Sequence, residues 1–377
     1  MQVVAVGWQI YALTSNPLDL GLVALTEFLP AVLLVLFAGH AADIFDRRVV
    51  VRVSQTVQGL AVAMLASATA FGAVSNELIL AAVFTIGGAR SFEQPTMNSL
   101  LPAVVPGELL PRAVAASSSA TQTAAIAGPA IGGILYLLGP TFVYATCTVL
   151  FIAASLLTGL IDIAHVPARR EPTSLAVLFA GFAFIRANPI VLGAILLDLF
   201  AVLLGGATAL LPVFVRDIFA VGPWGLGVLR ACPAVGALAT GIVLSRTPLR
   251  RNVGHLMYGG VAVYGMATIV FGLSTSFVVS MAALVLLGAS DMVSVVVRQT
   301  LVQLETPDPM RGRVSAVNSL FVAGSNQIGD FRAGVMAAWF GTIPAVLMGG
   351  VGTLLIAAVW IKAFPALFNV ESYSKRR

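Results

Sequence analysis

The chain has 377 residues, of which 59% are apolar before its 36 glycines are counted and only 10% are charged, against about 25% in an ordinary soluble domain. A mean hydropathy of +0.98 over the whole length excludes a soluble enzyme, a disulfide scaffold and a nucleic-acid-binding domain. The net charge of +5 therefore needs a membrane explanation, and the composition is that of an all-α polytopic membrane protein.

Apolar runs bounded by Pro, Gly and charge clusters predict twelve spans, at about 1–14, 20–41, 49–72, 78–99, 113–138, 141–162, 189–213, 224–245, 254–274, 277–300, 314–340 and 343–363. None shows the alternation of a membrane β-barrel. The first run would make only about 21 Å of helix against a hydrocarbon core of ~30 Å. Sixteen of the 21 Lys and Arg residues follow even-numbered spans, Arg216 alone lies on the other side, and Arg90, Arg230, Arg298 and Arg332 fall inside spans. By the positive-inside rule both termini are cytoplasmic.

The longest connection, 163–188, opens as a polar Pro-containing stretch and continues as Leu175–Arg186, which reads as an interfacial helix along the inner membrane face. It divides the chain into an N-terminal six-helix bundle (1–162), a cytoplasmic linker (163–188), a C-terminal six-helix bundle (189–364) and a basic cytoplasmic tail (365–377). At a shift of 203, Pro30-Ala31-Val32 falls on Pro233-Ala234-Val235 and Arg47-Arg48 on Arg250-Arg251; at 201, Pro106 and Arg112 fall on Pro307 and Arg313. Such a duplication predicts two bundles related by a pseudo-twofold axis, with a transport site near the midplane. The same shift sets Met1 against Leu204, midway along span 7, so helix 1 is expected to be N-terminally truncated.

The stretch Gly39-His40-Ala41-Ala42-Asp43-Ile44-Phe45-Asp46-Arg47-Arg48 resembles the G-x-L-A-D-R-x-G-R-R motif between helices 2 and 3 of the major facilitator superfamily (MFS). Asp46 replaces the usual glycine and Ile44 the usual basic residue. Gly128-Pro129-Ala130-Ile131-Gly132-Gly133 is similar to the antiporter motif of that superfamily, with Ala124 in place of its first glycine. Thr306 to Leu320 resembles the branch that contains bacterial enterobactin exporters. The resemblance covers the chain and implies the MFS fold, with spans 1, 4, 7 and 10 lining the cavity. It implies a conformational latch built from Gly39, Asp43, Asp46, Arg47 and Arg48, although positive-inside anchoring alone also accounts for the arginines. The glycines and proline of span 5 would let that helix bend and pack tightly, and the resemblance points to export.

Ionisable groups inside spans are site candidates by default, because burying a charge is costly unless it is paired or hydrated. Asp198 lies near the midplane of span 7 with no local partner in sequence, and Asp291 mid-to-inner in span 10. Arg90 and Glu93, at i and i+3 in span 4, either neutralise one another or face the cavity. Arg298, near the cytoplasmic end of span 10, is expected to snorkel. Glu27 and Arg230 hold the same repeat position, each three residues before Pro-Ala-Val. The resemblance implies that helices 2 and 11 adjoin, so Glu27 is expected to pair with Arg332 as an outer gate, with Asp330 beside it; separate partners for each residue are the alternative. The proton-coupling and cavity candidates are thus Glu27, Asp198, Asp291, Arg90 and Arg230, while Trp8, Tyr11, Phe28, Phe92 and Phe200 are aromatic candidates for the lining.

Cys147, Cys232 and the three histidines (His40, His165, His255) have no metal-ligand spacing, and no phosphate-binding G-x-x-x-x-G-K-[ST] loop occurs. No metal, cofactor, nucleic acid or enzymatic activity is expected. The expected partners are a small-molecule substrate, a proton gradient and the lipid bilayer, with the chain working as a monomer in the plasma (inner) membrane of a bacterium, C-terminus cytoplasmic. The expected function is export of a small organic solute, siderophore-like or a hydrophobic drug, by alternating access and proton antiport. A proton-coupled importer of a small nutrient and a transport-inactive truncated product are the alternatives.

Overall fold

The computed structural model describes residues 1–106, 108–161, 175–247, 249 and 251–371, with the side chains at 35, 36, 39, 40, 42, 43, 111, 175–179 and 309 outside the description. Among the described residues the regular structure is helical throughout. It comprises α1 (Gln2–Thr14), α2 (Pro17–Ile44), α3 (Arg47–Ala70), α4 (Asn76–Val104), α5 (Leu110–Leu135), α6 (Pro140–Gly159), α7 (Leu175–Ala187) and α8 (Pro189–Gly205). There follow a short α9 (Leu211–Val213), then α10 (Pro223–Arg246), α11 (Val253–Leu273), α12 (Phe277–Glu305), α13 (Arg311–Phe340), α14 (Thr342–Ala363) and a final turn, α15 (Pro365–Phe368). Nine of the described helices are long and apolar enough to cross a membrane. The other three predicted spans are α1, of 13 residues, and the long α4 and α13, which carry Arg90 and Glu93, and Asp330 and Arg332.

The helix starts follow from local chemistry. Pro17, Pro140 and Pro189 occupy first-turn positions, where their missing N–H costs nothing. Asn16 Oδ1 accepts from the Leu18 N–H at 3.0 Å, Ser75 Oγ from Leu78 at 3.2 Å, and Asn188 Oδ1 from Ile190 at 3.1 Å. The internal repeat survives at this level. Ser75 and Ser276, 201 positions apart, cap α4 and α12, each 29 residues long. Gly139 and Gly341, at φ 110° and 92°, introduce α6 and α14, a backbone conformation that favours glycine.

The chain forms two compact units. The first is Met1–Ser174 with Val221–Gly227, and the second is Leu175–Ala220 with Val228–Arg377. In the first, α4 packs against both α2 and α3, and α3 against α6. In the second, α11 packs on α12 and α14, and α8 on α13 and α14. A buried cluster of Ala194, Leu197, Met257, Val261, Val297 and Leu301 joins α8, α11 and α12. The α7 helix buries Ile185 among Val191, Ile195, Val314 and Val317. It approaches α13 at Gly181, where a Cβ would come within 2.7 Å of the Arg313 carbonyl oxygen.

Span 7 is not the continuous helix expected over 189–213. It breaks after Gly205, passes Gly206 at φ 5° and ψ 31°, and continues as a 3-10 turn (Ala207–Leu210), α9 and a π-helical turn (Phe214–Ile218). Two adjacent glycines weaken the helix, and Pro212 removes a donor while its ring crowds the carbonyl one turn back.

Candidate functional site

Each unit holds a cluster of intramembrane charges. In the first, α4 lies between α2 and α3 and sends one charged side chain to each. Arg90 Nη1 forms an ion pair with Glu27 Oε1. The two helices touch one turn away, where a Cβ on Gly87 would collide with the Glu27 carbonyl oxygen. Glu93 turns instead to α3, where Gln55 Nε2 donates to it at 2.9 Å and Gln58 Nε2 at 2.5 Å. Thr158 on α6 extends the set by donating to Gln55 Oε1 at 3.3 Å. The local Arg90–Glu93 pair is therefore replaced by two interhelical contacts. Side chains at i and i+3 diverge by about 60° around a helix, enough here to reach opposite neighbours.

The second cluster centres on Asp198 of α8. Arg298 of α12 meets it at 3.2 Å, with the two side chains only 3% and 6% exposed, and Arg298 Nη1 also donates to Asn318 Oδ1 of α13 at 2.9 Å. Asp198 thus has a partner, and Arg298 does not snorkel. Snorkelling needs a path to water, and the guanidinium is enclosed by α8 and α13. Asp291 joins Asp198, Tyr264, Ser290 and Ser294 around a cavity of about 10 Å³ within this unit.

Arg332 and Glu27 each have a partner inside their own unit. Arg332 Nε donates to the Leu203 carbonyl at 2.9 Å and its Nη2 to that of Leu204. These carbonyls close α8, and the break at Gly206 leaves them without the N–H groups of a following turn. A guanidinium there satisfies them and opposes the negative end of the helix dipole. Asp330 and Arg230 are half-buried on α13 and α10.

Between α2 and α3, Asp46 caps α3 by accepting from the Arg48 N–H at 2.9 Å, and it pairs with the Arg48 guanidinium at 2.9 Å. Arg48 Nη1 also donates to the Ile161 carbonyl at 3.0 Å, and Arg47 Nη1 to that of Ser99 at 3.2 Å. The aspartate that departs from the motif therefore has a structural use. Gly39 and Asp43 fall within α2, and their surroundings lie outside the description. In α5, Gly128, Pro129, Gly132 and Gly133 share one helix, and a Cβ on Gly132 would come within 2.6 Å of Met1 Cα. Of the aromatic candidates, Tyr11 is buried, Trp8 meets Tyr136 edge-on at 6.3 Å and Phe200 packs on Trp360 at 5.4 Å. Phe92 lines an apolar groove with Val49, Val53 and Gly88.

Sequence reading missed Gln55, Gln58, Tyr264, Ser294 and Asn318. Two glutamines at i and i+3 in an apolar span were a signal for the first pair, since a buried amide needs a partner. Tyr264, Ser294 and Asn318 carry no such local mark.

The model of a family described as "Transmembrane secretion effector" (MFS_3) matches residues 1–376. Over 372 residues the chain is 25% identical to the MFS-type transporter YfiS of Bacillus subtilis (strain 168), covering 93% of this chain and 85% of that protein. Over 367 residues it is 26% identical to the enterobactin exporter EntS of Shigella dysenteriae, covering 94% and 86%. Its fold matches the solved structure of the D323A mutant of the nucleoside transporter NupG with a TM-score of 0.73 at 14% identity, over 96% of this chain and 95% of that one. The whole-chain family match, the all-helical architecture and the paired units together place this multi-pass membrane protein in the MFS_3 family of the major facilitator superfamily, a family of transporters and not of enzymes.

Proposed function

We propose that the protein exports a small organic solute by alternating access, with protons moving inward in exchange. The observation that carries this reading is the Asp198–Arg298–Asp291 cluster, a set of ionisable groups deep in a span where only function or pairing justifies its desolvation. Similarity to an enterobactin exporter over most of both chains favours export, and a siderophore-like or hydrophobic drug-like solute as cargo. The Lys and Arg distribution supports a cytoplasmic C-terminus in the bacterial inner membrane. One chain holds both units, so a monomer suffices.

The test uses everted membrane vesicles carrying the full chain and an imposed pH gradient, acid inside. A panel of hydrophobic dyes and a catecholate siderophore is offered outside. Accumulation that stops when the gradient is collapsed, and that is lost in Asp291→Asn, which leaves the Asp198–Arg298 pair intact, supports the reading. Accumulation independent of the gradient, or movement only in the opposite sense, refutes it.

A further inference from the structure

Helix α3 carries a ridge of valines, Val49, Val53 and Val57, at i, i+4 and i+8, and a groove runs along each side of it. On one side, α2 and α3 both pack on α4 but barely on each other. The gap between them is a groove of about 430 Å³, walled by Phe45 and the ridge and floored by Gly88, Ala89 and Phe92 of α4. The two small residues keep the α4 surface low and give the groove its depth. On the other side, toward α6, the same three valines bound a groove of about 270 Å³ together with Arg52, Thr56 and Ser155. Val49 and Val53 are 50% and 56% exposed, so the crest of the ridge faces outward. Since α3 is long and apolar enough to cross the membrane, what it faces is lipid.

The polar groups of the second groove differ in what they leave unsatisfied. The Thr56 and Ser155 hydroxyls pair at 2.9 Å, and Ser155 Oγ donates to the Arg52 carbonyl at 3.1 Å. The Arg52 guanidinium has no such partner: among the described residues no carboxylate or carbonyl accepts from it. The neighbouring charges are already engaged, Asp46 with Arg48 and Arg47 with the Ser99 carbonyl. The guanidinium is nevertheless fixed in place, because it lies against Gly159 of α6, where a Cβ would come within 2.9 Å of Cζ and 3.0 Å of Nε. Gly159 is the last residue of α6. The cation therefore stands at the level where a spanning helix ends and lipid phosphates begin. Free guanidinium donors match phosphate oxygens in geometry as well as charge. A cation at the mouth of two apolar grooves is complementary to a phosphodiester that carries two acyl chains. A soluble anion would leave both grooves unused, and a single-chain amphiphile would leave one.

We propose that this face of α3 binds one anionic phospholipid of the cytoplasmic leaflet, with its phosphate on Arg52 and its two chains on either side of the Val49–Val53–Val57 ridge. The end of α3 that carries Arg52 is the end that the Lys and Arg distribution sets in the cytoplasm, where anionic lipid is drawn to basic groups. The site lies within the first unit and apart from the Glu27–Arg90 pair, so its occupancy is independent of the direction and driving force of transport.

The experiment is native mass spectrometry of the purified full-length protein, stripped of lipid in detergent and then offered equal amounts of phosphatidylglycerol and phosphatidylcholine with the same chains. Wild type should retain one phosphatidylglycerol in preference to phosphatidylcholine. Arg52→Gln should weaken that retention about tenfold, the loss of one charge-assisted contact, and Arg52→Lys should recover part of it. Val53→Trp adds bulk to the wall shared by both grooves at an exposed position. It should weaken retention with the guanidinium still in place. Arg246→Gln, at the exposed end of α10, should leave retention unchanged. Equal retention of the two lipids, or a loss in Arg246→Gln as large as in Arg52→Gln, would show general attraction to charge and overturn the site. Displacement of the lipid by glycerophosphoglycerol, which has the headgroup without the chains, would reduce it to an anion site and overturn the grooves' part in it. Unchanged retention in Arg52→Gln or in Val53→Trp overturns the assignment of the phosphate or of the chains respectively.

Discussion

Replacing Arg298 by Met removes the positive half of a pair that is almost wholly enclosed. At 3.2 Å and an effective dielectric of about 20, two unit charges attract by ~5 kcal/mol. Leaving a buried partner uncompensated costs about 3–5 kcal/mol in comparable pairs. Arg298→Met should therefore destabilise the second unit by roughly that amount, or on the order of 10 °C in apparent Tm at about 2–4 °C per kcal/mol. Because desolvation offsets most of the attraction, removing both charges should be far milder than removing one. The double variant Asp198→Leu, Arg298→Met should recover most of the loss, since no charge is then stranded. Thermal unfolding of the detergent-purified wild type, Asp198→Leu, Arg298→Met and the double variant, followed by tryptophan fluorescence and by loss of the monodisperse peak, measures the single and combined losses. A double variant that falls by the sum of the single losses would show that the two residues do not stabilise each other and would refute the buried-pair account.

Arg332→Met should leave two carbonyls at the end of α8 without a donor and cost about 1–3 kcal/mol, with faster amide exchange over 207–213 as its local signature; Arg332→Lys should restore part of the protection. Gly87→Val should push α2 from α4 and break the Glu27–Arg90 contact, so a Gly87→Val, Arg90→Leu pair should lose less stability than the two single changes added together. Asp46→Ala should cost about 1 kcal/mol through the lost cap of α3, with little more from its partly exposed ion pair. Asp46→Asn should cost only tenths of that, and chemical denaturation of the three proteins distinguishes the two contributions.

The helices were legible because the features that define them are local. Apolar runs outline them, proline at first-turn positions and Asn, Asp or Ser caps mark many of the starts, and the arginines mark every second connection. The repeat was legible for the same reason, since Pro30 and Pro233 carry their context with them. The break in span 7 has a local mark too, Gly205-Gly206 followed by Pro212 in a run otherwise apolar throughout. Partners were not legible. Whether Arg90 reaches Glu93 or Glu27 depends on the rotation of α4 between two neighbours, and whether Arg298 reaches water or Asp198 depends on how α12 lies against α8. Those are properties of packing, to which spacing along one helix gives no access.

The capped end of α8 has a mechanical consequence. A Cβ on Gly206 would come within 2.6 Å of the Gly329 carbonyl oxygen, and one on Gly349 within 2.5 Å of that of Leu204. Arg332, which closes α8, belongs to α13. The blunt end of α8 is thus seated in a socket built from α13 and α14, so displacement of either helix carries that end with it. The regular part of the span is thus fastened to α13 and α14, and its irregular part, the 3-10 and π turns over 207–218, begins where that fastening ends.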